Sequence, residues 1–366
     1  MRGIPSEVDR IDRIDALQVA EQACRFDPWF FVKNFVFTMD EHDLVDPIKH
    51  FPDYKYARKI TQGWHTHNKV AVVKSRQIML SWLMVALHFW LAFFHKSVLE
   101  FFISEKEEKA DDLLDRARII YDNLPEPWKI ANPVEQKYCQ MMFPKMKSKI
   151  RALPSGTDQI RMYTSSAILF DEAAFQANQR ANFIAAYPSA SRGGKITAIS
   201  TVNGPNYFSQ ICTDNSVGTR GVDKSYMKKT WIGLQSYREQ LNPKNGFFVI
   251  DVGVEELVSG EIKQRKLRGH PAKKYREDFM KQYLEGLDDQ GIQQEVYRNF
   301  YVVKGEKVYS RYKDDIYARK LMYNQYRPLL CSWDFGYHWP AVVFAQYDDS
   351  VRTLYVLGEY MGHDIE

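Results

Sequence analysis

The chain has 366 residues, 45% hydrophobic and 26% charged, and a formal net charge of +4 from 50 basic and 46 acidic side chains. At roughly 150 residues per domain this length fits two to three domains, each able to bury a core. The composition excludes a disordered, collagenous or coiled-coil chain, and so small a positive charge does not by itself point to nucleic acid.

The longest apolar stretch, Trp82 to Phe94, is interrupted by His88 and is too short to span a bilayer. The N-terminal MRGIPSEVDRIDRID is charged and lacks the apolar run of a signal peptide. Cys24, Cys139, Cys212 and Cys331 form no CxxC pair, which favours reduced thiols over a zinc site.

Residues 6–26 place Ile11, Ile14, Leu17 and Ala20 at helical spacing. Residues 27–63 are aromatic and broken by Pro28, Pro47 and Pro52, which predicts loops and short helices. A strand at 70–73 then leads through a polar turn into a helix from about Ser81 to Phe94. A second strand at 98–103 precedes a charged amphipathic helix over 105–123, which Pro125 stops. A ribbon is expected at 138–143 and 149–153, and buried strands at 167–170 and 196–200. Short apolar strands alternating with helices predict an α/β fold with a mostly parallel, doubly wound sheet.

Residues 205–325 carry weaker signals. Glu261 to Lys281 holds eight basic residues against three acidic ones and reads as a solvated helical linker. Beyond Pro328, strands at 329–336, 341–347 and 353–360 predict the opening of an antiparallel domain. About 40 residues are too few for an independent core, so the expectation is that the natural chain continues.

Three polar clusters follow strands, at 74–81, 171–172 and 201–204. Ligands of parallel sheets sit at those carboxyl ends. Lys74 to Ser81 occupies the strand-to-helix position of a phosphate loop, yet Lys74 and Met79 stand where that motif has glycines, and Leu80 where it has lysine. Lys74 or Arg76 could supply the positive charge, and Ser81 is placed for a metal. The apolar strand ending in Asp171-Glu172 supplies the second half of an ATPase site. The competing reading of each is structural: an ordinary strand–turn–helix, and an acidic helix cap. His65 and His67 have two-ligand metal spacing without a third ligand. Lys145, Lys147, Lys149 and Arg151 alternate so that on a strand they share a face, to track phosphates or simply to be solvated.

Taken together, Lys74-Ser75-Arg76-Gln77 with Ser81-Trp82, Phe170-Asp171-Glu172-Ala173-Ala174, Ser200-Thr201-Val202-Asn203-Gly204 and Ser332-Trp333-Asp334-Phe335-Gly336 resemble, in order, four motifs of the large terminase subunit of tailed phages. Met79 departs from the usual glycine of the first. The resemblance implies an ASCE-type P-loop ATPase followed by the incomplete start of an RNase H-like nuclease. It divides the chain into an N-terminal helical, adenine-side region (1–65), an ATPase core (66–225), a linker (226–325) and the first nuclease strands (326–366).

On this resemblance Lys74, Ser75, Arg76 and Gln77 contact ATP, and Ser81 and Asp171 hold Mg²⁺. Glu172 activates water, while Thr201, Asn203 and Gly204 couple hydrolysis to movement. Arg161 matches a position that acts on the neighbouring subunit's ATP. Phe51 is the local candidate for the adenine side, and Asp334 would ligate Mg²⁺ or Mn²⁺ in the nuclease. The implied partners are double-stranded DNA, a portal protein, a small terminase subunit and further copies in a ring, with no membrane. The place of action is the host cytoplasm, transiently at the procapsid portal. The alternatives are a degenerate P-loop protein that binds DNA or portal without turnover, another DNA-dependent ATPase such as a helicase, and a nuclease with an accessory domain.

Overall fold

The computed structural model describes residues 7–156, 160, 164–191, 193–213, 233, 235–300, 302, 320–335 and 341–361. The chain divides into two compact units, one holding the described residues up to 302 and the other those from 320 onward.

The first unit opens with α1 (Glu7–Phe26), α2 (Pro28–Phe35), the antiparallel pair β1 (Phe37–Met39) and β2 (Ile48–His50), and α3 (Lys55–Thr66). Asp27 starts α2 by accepting the N–H groups of Trp29 and Phe30, and Pro28 costs nothing where its missing N–H would be unpaired anyway. The sheet begins at β3 (Lys69–Lys74), followed by α4 (Leu80–Phe94), β4 (Leu99–Ser104), α5 (Glu107–Asp122) and α6 (Glu126–Ala131). Then come β5 (Glu135–Lys137), β6 (Gln140–Phe143), β7 (Ser148–Pro154), β8 (Ala167–Asp171), α7 (Gln179–Ser191), β9 (Lys195–Ser200) and α8 (Tyr207–Cys212). β10 (Tyr237–Leu241), β11 (Phe248–Val252), α9 (Val254–Gln264), α10 (Gly269–Leu284) and α11 (Asp289–Glu295) complete the unit.

Among the described residues these strands form a nine-stranded sheet in the order β10-β11-β3-β9-β8-β4-β7-β6-β5. Neighbours from β11 to β7 pair in parallel, while β10, β6 and β5 pair antiparallel at the flanks. The α/β, doubly wound expectation therefore holds, and β9 lies between the strand that carries Lys74 and the strand that ends in Asp171.

Side chains alternate between two cores. Val70, Val72, Phe102 and Leu169 face one side, packed with α2 through α5, while Ala71, Val73, Phe101, Ile103 and Ile168 face the other, packed with Phe183 of α7 and Phe208 of α8. A sheet covered on both faces requires such unbroken apolar strands. α4 is buried almost all round because it lies between the sheet and α2, α3 and α5. Phe51, the adenine-side candidate, is buried in the first core at 3% exposure and has no face free to stack on a base.

The segment 226–325 differs from the linker expected of it. Its β11 pairs in parallel with β3, and β10 extends the sheet beyond it. The apolar run from Phe247 to Val252 acquires its partner from a strand far away in sequence, a non-local pairing that periodicity does not reveal. α10 matches the solvated helix expected, with no buried side chain.

In the second unit β12 (Leu330–Asp334), β13 (Ala341–Asp348) and β14 (Thr353–Met361) form an antiparallel sheet in chain order. Arg327 pairs with Asp348 beside it, and Trp333 stacks on Phe335 with centroids 5.9 Å apart. Among the described residues no helix is long and apolar enough to cross a membrane.

Candidate nucleotide-binding site

The predicted residues converge at the carboxyl ends of β3, β8 and β9. Lys74 is the last residue of β3, 6% exposed, and its Nζ lies 2.7 Å from Glu172 Oε1. Ser81, in the first turn of α4, donates its hydroxyl to Asp171 Oδ1 at 3.0 Å. The other oxygen of Glu172 accepts the Ser200 hydroxyl at 3.3 Å and the Thr201 N–H at 3.2 Å. Lys74, Ser81, Asp171, Glu172 and the end of β9 are therefore brought together across three strands.

The loop between β3 and α4 is held from several sides. Its first N–H, on Ser75, bonds to Val252 O at the end of β11. Tyr56 on α3 donates its hydroxyl to Ile78 O at 2.8 Å. Gln77 and Met79 both take left-handed backbone, at φ +56° and +58°, and Glu172 does so at +45°. Left-handed backbone costs a residue with a Cβ about 1–2 kcal/mol, and such strain concentrates at functional sites. Met79 thus adopts the conformation for which the loop motif would normally use glycine.

Burial and the neighbouring Glu172 charge push the Asp171 carboxyl up, against the opposing pull of Lys74, Arg116 and the Ser81 hydrogen bond. Burial would also raise Glu172, but the Lys74 ammonium and the bonds from Lys74, Thr201 and Ser200 outweigh it and hold that carboxyl below its ordinary value. These groups bias Glu172 toward the carboxylate, the form a proton acceptor needs.

A cavity of about 450 Å³ opens on these groups, within the roughly 300–1,000 Å³ typical of small-molecule sites. Arg76, Asp171, Glu172 and Thr201 line one side. Arg76 is exposed and ion-paired with Glu295 of α11 at 3.0 Å. Asn203 donates its amide to Ala174 O at 3.0 Å, tying the turn after β9 to the turn after β8, and Gly204 follows at φ +72°. Gln77 is exposed on the loop. Arg161 lies outside the described residues, and Asp334 lies on β12 in the second unit.

Sequence reasoning missed part of the lining. Glu105, Lys109, Asp112, Leu113 and Arg116, on α5 and the turn before it, line the same cavity. It also missed Gln176, whose amide bonds to Asp171 O at 2.8 Å and Ile103 O at 3.0 Å and so clamps the ends of β8 and β4 together. No sequence signal marked these residues, because it is the tertiary pairing of β4 with β8 that brings α5 to the acidic pair.

Ser81 and Asp171 offer hard oxygen donors, which fits Mg²⁺, an ion usually held by one or two carboxylates together with substrate phosphates. Among the described residues no three His, Cys, Asp or Glu side chains cluster as a metal cage. His67 instead stacks on Phe248 with ring centroids 4.0 Å apart, and His65 meets the edge of Trp90.

No protein-family model and no curated protein matches the sequence. Among solved structures, the large terminase of a thermophilic bacteriophage in complex with ADP aligns at 13% identity and a TM-score of 0.47, over 85% of this chain and 69% of that one. A Thermus phage large terminase ATPase domain aligns at 14% identity and a TM-score of 0.47, over 68% and 95%. The chain is similar also to the large terminase of bacteriophage HK97, at 12% identity and a TM-score of 0.49, over 92% of this chain and 67% of that one.

Proposed function

We propose that this chain is an ATPase of the phage large-terminase kind, which drives double-stranded DNA into a procapsid. The observation that carries the reading is the set of contacts joining Lys74, Glu172, Ser81, Asp171 and Thr201 where three adjacent parallel strands end. The order of the four motifs along the chain supports the motor assignment. A metal-dependent nuclease begun by Asp334, the portal, small-subunit and ring partners, action in the host cytoplasm, and Arg161 acting on a neighbouring subunit's ATP all belong to the same proposal. So does the division into an ATPase core, which β10 and β11 extend, and a nuclease start.

In this mechanism the triphosphate draws Lys74 away from Glu172 and the exposed Arg76 away from Glu295. Both exchanges replace a carboxylate partner with phosphate oxygens. Glu172, still fixed by Ser200 and the Thr201 N–H, accepts a proton from the attacking water. The water oxygen bonds to the γ-phosphorus, the bond to the β-bridging oxygen breaks, and ADP leaves with that electron pair. Mg²⁺ held by Ser81 and Asp171 would neutralise charge developing on the phosphate oxygens. Thr201, bonded to Glu172, is placed to report loss of the γ-phosphate to the turn held by Asn203.

The test is Mg²⁺-dependent ATP hydrolysis with and without linear double-stranded DNA, beside Glu172→Gln. Turnover stimulated by DNA and removed by the variant is expected. The Lys74–Glu172 pair and the left-handed Met79 favour a second reading, nucleotide binding without turnover. Binding that Lys74→Ala removes, with no hydrolysis under any condition, would select it.

A further inference from the structure

We propose that Arg116, on α5, binds the γ-phosphate of the nucleoside triphosphate from within the same chain. The inference rests on the ATPase reading above. Four cations line the cavity or touch its carboxylates: Lys74, Arg76, Lys109 and Arg116. Three are already paired, Lys74 with Glu172, Arg76 with Glu295, and Lys109 with Glu105 at 2.7 Å. Arg116 differs. Its Nη1 is buried and has no hydrogen-bond partner among the described residues. It makes no ion pair with Asp112, one turn earlier on the same helix, although that spacing would allow one. Two residues later, Arg118 is fully committed, to Asp111, Asp115 and Lys137 O.

The guanidinium is instead held over the Trp82 ring, 5.6 Å from its centroid. Trp82 follows Ser81, whose hydroxyl meets Asp171. The charge of Arg116 reaches that carboxylate and lowers its proton affinity. The cation–ring contact holds the guanidinium without using its N–H groups, and the residue lines the cavity with Asp171 and Glu172. A buried, unpaired guanidinium N–H needs an acceptor, and a phosphate oxygen accepts it with the bidentate geometry arginine favours. The contact belongs to the γ-phosphate because Arg116 lines the cavity together with Asp171 and Glu172, and its charge reaches Asp171.

The test measures Mg²⁺-dependent binding of ATPγS and of ADP to the full chain, for wild type, Arg116→Gln and Arg116→Lys, with thermal unfolding as the control for folding. Arg116→Gln is expected to weaken ATPγS about tenfold or more and to change ADP less than about threefold, as loss of one charged hydrogen bond to the γ-phosphate requires. Arg116→Lys keeps the charge, loses the fork, and is expected to recover part of the ATPγS affinity. Equal weakening of both nucleotides, or no change in either, overturns the assignment of Arg116 and leaves the ATPase reading standing. A wild-type chain that binds neither nucleotide overturns both. If Arg116→Gln does not fold, Arg116→Lys decides alone, because a purely structural cation would leave the ratio of the two affinities unchanged.

Discussion

Glu172 and Met79 show how much a single position decides. Glu172→Gln keeps the size and the hydrogen bonds of the side chain but removes its basicity, so ATP turnover is expected to fall roughly 10²–10⁴-fold while nucleotide binding persists. Single-turnover hydrolysis beside equilibrium binding checks it. At Met79 two effects compete. Glycine would relieve the left-handed backbone but give up a side chain packed against the core and gain unfolded-state freedom, so Met79→Gly should change stability by less than about 1 kcal/mol. A β-branched residue meets the same backbone with more crowding, and Met79→Val should lose about 1–3 kcal/mol. Urea midpoints of the two variants separate these cases. The residue types at the site were legible because Lys74, Asp171 and Glu172 stand at strand ends in the sequence and Ser81 at the start of the helix that follows. The left-handed backbone at Gln77 and Glu172 was not, since neither residue type signals it.

Between elements, a buried polar chain ties α3, α4, β4 and β9 together away from the cavity. Trp64 donates to the Thr197 hydroxyl at 2.8 Å, that hydroxyl meets His88 Nε2 at 2.9 Å, and His88 Nδ1 meets Glu100 Oε2 at 2.7 Å. Burial and the Lys195 charge hold His88 down to about 3, from 6.5. Burial holds Glu100 well above 4.5, against the pull of Lys195. Burial pushes Lys195 itself down to about 8, against Glu100.

Between about pH 3 and 4.5 the unfolded chain binds an extra proton at His88, so stability rises with pH. From about 4.5 upward folded Glu100 keeps a proton that the unfolded chain has lost, and this imbalance opposes the one at His88. The Glu100 contribution to stability is therefore full below 4.5 and is lost as pH rises above it, while Lys195 acts in the opposite sense above about 8. Wild type should therefore lose stability relative to Glu100→Gln as pH rises above 4.5, and urea midpoints at several pH values check it.

A second tie, the fully buried pair of Asp251 and Arg298, joins β11 to the residues after α11, and Gly233 N–H and Gln235 O complete it. Arg298→Met would leave Asp251 charged and unpaired, at a cost of about 3–5 kcal/mol read from denaturant unfolding.

For the whole molecule, the two units separate what Asp334 does from what the cavity does. Asp334 ends a strand of the second unit's own sheet, whereas every described group that lines the cavity lies in the first unit. Asp334→Ala should accordingly leave ATP turnover within about twofold of wild type, a change no larger than surface substitutions produce. The sequence by itself determined the parallel strands, the helices between them, the acidic strand end and the lysine loop. Each of these is a contiguous apolar run or a polar cluster directly after one, and so is written in local order. Only the tertiary structure decided that β9 stands between Lys74 and Asp171, that β11 braces the loop through Val252, and that α5 closes the cavity with Arg116. Those facts rest on strand pairing between distant segments, where the gain comes from burying both faces of one sheet, and no short window of sequence carries that information.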